Sequence, residues 1–133
     1  MNRRYDWASQ MYSVIDAHID SPFEWGLNDC CLFSARVVDA MCGTAHEIEL
    51  KKNYSDETSA LQYIEQSGGI ENAVVNYLGK SQSEGRPVRG DVCLIQHNDR
   101  EALGICIGKE IAVQTTEGVS YVDRSAVLKF WGI

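Results

Sequence analysis

Positive charge is scarce in this chain. Only 12 Lys and Arg stand against 19 Asp and Glu, a formal net charge of −7 over 133 residues. A nucleic-acid or anionic-membrane binder needs clustered basic side chains, and Arg3-Arg4 alone does not supply them. No stretch approaches the roughly 20 apolar residues that span a bilayer, so no membrane insertion is expected. The first residues, Met-Asn-Arg-Arg-Tyr-Asp-Trp, lack the apolar segment of a secretory signal. The expectation is a protein made in the cytoplasm without a signal peptide. The 5 cysteines are an odd number and form no C-x-x-C pair, which argues against a disulfide framework or a structural zinc site. Neither a metal nor a cofactor is expected. Repeats and low-complexity tracts are missing as well.

What is present is the periodicity of one α+β domain over residues 1–133, long enough for a single core. Apolar positions Trp7, Met11, Val14 and Ile15 recur at helical steps and predict an amphipathic helix over residues 4–18. Ser21-Pro22 stops it, and residues 23–27 read as a loop. Asn28 is the expected N-cap of a second helix over residues 29–41, with Gly43 as its stop. That helix is apolar around most of its circumference, with Arg36 and Asp39 on one narrow polar stripe, so it belongs at the centre of the fold.

Residues 44–54 read as polar and irregular. Further helices are expected over residues 55–66, stopped by Gly68-Gly69, and over residues 70–78. Residues 80–89 form the clearest linker. Beyond Gly90 the period changes to two: strands over residues 91–97, 102–107, 111–115 and 119–122, with residues 127–131 closing or underlying the sheet. The hairpin turn is expected to take the four residues Asn98 to Glu101. Helices first and an antiparallel meander second is an α+β order.

Cys30 stands at the start of the central helix. There the first-turn N–H groups favour a thiolate and can help hold an oxyanion. A small buried hydrophobe would serve the same position. Cys31 points about 100° away on the same helix and reads as packing. Asp29 reads as a first-turn acid, Trp25 as a loop anchor, and Asp91 as the acceptor of a turn's backbone N–H groups.

These residues carry a resemblance. Phe23-Glu24-Trp25-Gly26 followed by Asn28-Asp29-Cys30 resembles the NlpC-type branch of papain-like cell-wall peptidases. Gly90-Asp91-Val92 and Leu103-Gly104-Ile105-Cys106-Ile107-Gly108 resemble that family's later motifs, in the same order. A closer resemblance is to a phage and prophage branch with Trp-Gly-x-x-Asp-Cys-Cys early and Ala-Leu-Gly-Ile late, whose proteins are associated with tail genes. The resemblance implies a papain-like fold with N-terminal helices, a core helix starting near Cys30 and a C-terminal antiparallel sheet. It also implies Cys30 as nucleophile, Gln114 as the orienting polar residue, and Phe23, Trp25 and Asp29 near the substrate.

The family's catalytic histidine precedes its Val-Gly-Ile, and here that position is Ala102; Phe23 stands where the family has a tyrosine. Across a four-residue loop His97 would lie opposite Ala102, where an imidazole could reach toward Cys30 from the neighbouring strand. The alternative is that His97 is a partly exposed strand-end residue beside a polar turn, and a one-residue change in loop register would put it on the opposite face. His18, at the end of the first helix, and His46, in a polar loop, are weaker candidates.

Two functions fit this pattern. One is a binding or structural module in a phage tail tip or tail assembly, hence in the virion, with a degenerate or weak peptidase site and a tail hub or fibre protein as partner. The other is an active peptidoglycan peptidase or amidase that cleaves the peptide through Cys30, His97 and Gln114. An acyltransferase on the same scaffold is a variant of the second. The negative charge suits a protein partner better than the anionic cell wall.

Overall fold

The apolar stripes and turn residues resolve into five α-helices followed by a five-stranded antiparallel sheet in the computed structural model, which describes residues 2–133. Helix α1 spans Trp7–Ala17 and α2 Cys30–Cys42. Short α3 spans His46–Lys51, α4 Glu57–Ser67 and α5 Ile70–Leu78. The strands are β1 Val92–His97, β2 Arg100–Cys106, β3 Glu110–Thr115, β4 Gly118–Asp123 and β5 Val127–Trp131, in the spatial order β4-β3-β2-β1-β5.

Helix α2 lies at the centre. Its Phe33, Val37, Val38 and Met41 pack with Met11 and Ile15 of α1 and with Val92, Leu94, Leu103, Ile105 and Ala112 on one face of the sheet. The opposite face is a second cluster, built from Cys93, Ile95, Cys106, Ile111, Val113 and Phe130. A third, around Leu32, Leu50, Tyr54 and Ala60, joins α2 to α3 and α4. The two charged residues on α2, Arg36 and Asp39, bind neighbouring segments. Arg36 ties α2 to Glu47 of α3, to the Leu27 carbonyl and to His18.

Three expectations need correction. Residues 44–54 are not irregular throughout, because the Asp39 carboxylate accepts from the His46 and Glu47 N–H groups (2.8 and 2.9 Å) and opens α3. That cap comes from another helix, so no local pattern marks it. The N-cap of α2 is Asp29, not Asn28: Asp29 is extended and its Oδ1 accepts from Leu32 N at 2.9 Å. Asn28 instead turns its amide to the Pro22 carbonyl at 3.0 Å. Finally, the β1–β2 turn takes two residues, not four, because Asn98 and Asp99 both adopt left-handed backbone (φ 51° and 62°), which these residue types tolerate and a tight hairpin favours.

Candidate functional site around the start of helix α2

The approach to Cys30 is fixed by backbone. Phe23 N donates to Thr115 O at 3.0 Å, tying the loop to the end of β3, and Glu24 and Asn28 bridge each other across Gly26. Gly26 has φ +83°, and a Cβ there would lie 2.2 Å from the Ser55 carbonyl oxygen, so only glycine fits. Asp29, fully buried, accepts from Gly26 N at 3.1 Å, Leu32 N at 2.9 Å and the Tyr54 hydroxyl at 3.0 Å. Its carboxylate is spent on holding the loop, the helix start and Tyr54 together. Phe23 and Trp25 meet edge to face with centroids 4.9 Å apart. Phe23 packs on the main core, and Trp25 on the Leu32–Tyr54 cluster.

Cys30 is therefore the first helical residue, 6% exposed. The Cys31 thiol beside it and the Leu103 backbone lower its pKa, against burial and the Asp29 charge, which raise it. Cys31 is pushed well up by the same interaction and by burial. Of the two, Cys30 is the thiol that ionises. The Leu103 backbone approaches it just past the end of the β2–β3 ladder, which pairs Ile105 with Ala112 and Cys106 with Ile111.

The expected base does not reach this thiol. With a two-residue turn, His97 pairs with Arg100, while Ala102 pairs with Ile95 and Gly104 with Cys93. His97 and Ala102 do share a face, as expected, since a register change of two keeps side-chain parity. That face is the one of Cys93, Ile95 and Phe130, turned away from α2, whereas the neighbours of Cys30 are on the face of Leu94 and Leu103. His97 also stands three residues beyond Leu94, roughly 10 Å along the strand, and its Nε2 is 3.3 Å from the Asn98 amide.

Gln114 is on the α2 face and 2% exposed. Its amide nitrogen donates to the carbonyls of Ser21 (2.5 Å) and Thr115 (3.0 Å), while its Oε1 is buried without a partner. It bonds no imidazole.

The other histidines are placed as clearly. His18 Nδ1 faces the Val14 carbonyl at 2.8 Å, and its Nε2 faces Arg36 Nη1 at 2.7 Å. The carbonyl requires a proton on Nδ1 and the guanidinium requires a lone pair on Nε2, so both ring nitrogens are occupied. His46, in α3, stacks edge-on against Tyr77 with its Nε2 buried and unpartnered. It lines a cavity together with Cys31, not Cys30. Among the described residues no three His, Cys, Asp or Glu side chains are grouped to hold a metal ion.

Sequence reasoning missed Tyr54, whose hydroxyl completes the Asp29 site, and that Ser34 and His46 line one cavity. Both depend on α3 and the segment after it, where the periodicity is too short to read. The arrangement around Cys30 can hold a thiolate, but it supplies no proton-transfer partner for a leaving amine.

No curated protein matches the sequence. Residues 2–133 match the family model described as Domain of unknown function (DUF6950), and the chain belongs to that family.

Proposed function

We propose that this chain is an NlpC-like, papain-fold module that acts by binding, in a phage tail tip or during tail assembly. Its cysteine-peptidase site is reduced to its scaffold. The observation that carries this reading is that no histidine is free to serve Cys30: His97 is on the far face of the sheet, both ring nitrogens of His18 are engaged, and His46 lines a cavity that Cys30 does not. Ala102 stands at the family's histidine position, and Gln114 is bound to the Ser21 carbonyl. Without a general acid, amide cleavage by a thiolate loses orders of magnitude in rate. The papain-like assignment is supported by the order of elements, a central helix opening on Cys30 followed by an antiparallel sheet. The tail association rests on the resemblance of Trp25-Gly26, Asp29-Cys30-Cys31 and Ala102-Leu103-Gly104-Ile105 to the phage branch. A tail hub or fibre protein is the partner that reading implies.

The second reading, an active peptidoglycan peptidase or amidase, has one feature in its favour: Cys30 is the first residue of α2, where the Cys31 thiol and the Leu103 backbone favour its thiolate. One experiment separates the two. Purified protein is incubated with peptidoglycan and new amino groups are counted, beside Cys30→Ala and His97→Ala. The binding module releases none, and all three proteins behave alike. Release that is lost in Cys30→Ala overturns the proposal, and loss in His97→Ala as well restores the predicted dyad.

A further inference from the structure

On the side of α2 turned toward α3, α4 and α5 there is a cavity of about 50 Å³. Its walls are almost wholly apolar: Ala35, Val38, Ala73, Val74, Leu78 and Leu103 supply much of them, and no Asp, Glu, Lys or Arg side chain lines it. The tyrosine hydroxyls of its lining have partners, Tyr54 on Asp29 and Tyr63 with Tyr77, but two other polar side chains there do not. Ser34, 2% exposed, has its Oγ buried without a hydrogen-bond partner, and His46 has its Nε2 buried without one. Both line the same cavity.

A serine inside a helix ordinarily bonds back to a carbonyl one turn earlier, and a buried imidazole nitrogen ordinarily finds a partner. Neither does so here. Two unmade hydrogen bonds at one cavity wall mark a place where an occupant supplies them.

We propose that this cavity binds a small uncharged aliphatic molecule, or the end of a larger one, that carries a single hydroxyl or carboxamide. The polar group bonds Ser34 Oγ and His46 Nε2 while the aliphatic part lies against α5 and the sheet. Charge is excluded because no wall residue compensates it and burying an unpaired charge is prohibitive. A group that both donates and accepts satisfies both partners in either tautomer of His46, because a hydroxyl does both and an imidazole Nε2 does one or the other. Size follows from the volume, room for on the order of four water-sized groups. The site lies beside Cys31 rather than Cys30, so it is independent of whether Cys30 is ever a nucleophile.

The test uses the full chain and two probes of equal length, n-butanol and n-butyrate. Titration is followed by methyl resonances of Ala35, Ala73 and Val92 and by the rate at which Cys31 is alkylated. Butanol is expected to give saturable shifts confined to those methyls and to slow Cys31 labelling, with butyrate at least about tenfold weaker. Ser34→Ala is expected to weaken butanol about fivefold or more, without lowering the melting temperature of the unliganded protein, because it removes an unpaired hydroxyl. Ala73→Leu, which fills the cavity, abolishes the shifts. Equal binding of butyrate, unchanged binding by Ser34→Ala, or a loss of unliganded stability in Ser34→Ala overturns the proposal. An ordered water cluster that butanol fails to displace also overturns it, and that result needs no variant to fold.

Discussion

Asp29 and Asp91 are the two deeply buried acids of the chain's motifs, and they solve the same problem with different partners. Asp29 precedes α2, and Asp91 precedes β1. Each follows a glycine with positive φ, a backbone that strains any larger residue: Gly26 lies against the Ser55 carbonyl, and Gly90 (φ +98°) lies beneath the Arg3 guanidinium, 2.6 Å from where a Cβ would be. Each carboxylate gathers backbone N–H groups from separate segments. Asp91 accepts from Val88 N at 2.9 Å and Ile133 N at 3.2 Å, and pairs with Arg3 at 3.0 Å. Asp29 gathers two N–H groups and the Tyr54 hydroxyl, with no cation among its hydrogen-bond partners. The Asp-Cys and Gly-Asp motifs are thus the same device used twice, a glycine that lets chains approach and a carboxylate that pins them. The aspartates of both motifs thus have a folding role in the bonds they accept.

The comparison breaks first at Asp29. Asp29→Ala leaves two N–H groups and a phenol unsatisfied in a site with no solvent access and removes the cap of the central helix, at a cost of about 4 kcal/mol. Asp91→Ala costs less, about 2–3 kcal/mol, because Arg3 retains other acceptors. Urea unfolding of the two variants measures the difference; equal losses would mean that Asp29 is no more critical than a buried acid paired with a guanidinium.

How much of this was legible in sequence follows from where each signal is stored. Helices α1, α2, α4 and α5 have their stripes and stops in consecutive residues, and the four-strand meander has its period-two pattern, so both were readable. Helix α3 was not, because Asp39 caps it from another helix. The hairpin turn failed on a point of chemistry. Asn98-Asp99 is a two-residue turn, but the polar Arg100 and Glu101 that follow look like loop and are in fact strand. The site suffered most. Cys30 near the helix start was visible although Asn28, one residue before the actual cap Asp29, was expected to cap it; which sheet face meets α2 depends on packing of Phe33 and Val37 against Leu94 and Leu103. Alternation predicts that His97 and Ala102 share a face and is silent on which face it is.

Tyr54 sharpens the comparison through pH. Burial pushes its phenol far up, and the Asp29 carboxylate beside it adds to the rise. In the unfolded chain it ionises near pH 10, so the folded protein holds a proton that the unfolded one releases. The stability from this group is fully present below about pH 10 and is lost as pH rises beyond it. Tyr54→Phe is expected to cost about 2 kcal/mol at pH 7, the worth of a hydrogen bond to a charged acceptor. It should also flatten the alkaline decline measured by thermal melts between about pH 9 and 11. An unchanged decline would show that the Asp29–Tyr54 bond is not the alkaline weak point.

The smallest effect belongs to Arg3. Its guanidinium pairs with Asp91, donates to the carbonyls of Ile133 (2.6 Å) and Arg89 (2.8 Å), and stacks on Trp7 at 4.2 Å. Four partners in four directions suit a planar fork and not an ammonium, so Arg3→Lys is expected to lose nearly as much as Arg3→Ala, about 1 kcal/mol. The ionic part of that loss is screened by salt. The Arg3→Ala deficit should therefore shrink as ionic strength rises, whereas the Asp29→Ala deficit, whose lost bonds involve no cation, should stay constant. If both deficits shrink together, the distinction between the two aspartates disappears. If neither does, the Asp91 clamp is held by its backbone bonds and Arg3 contributes chiefly by covering Gly90 and Trp7.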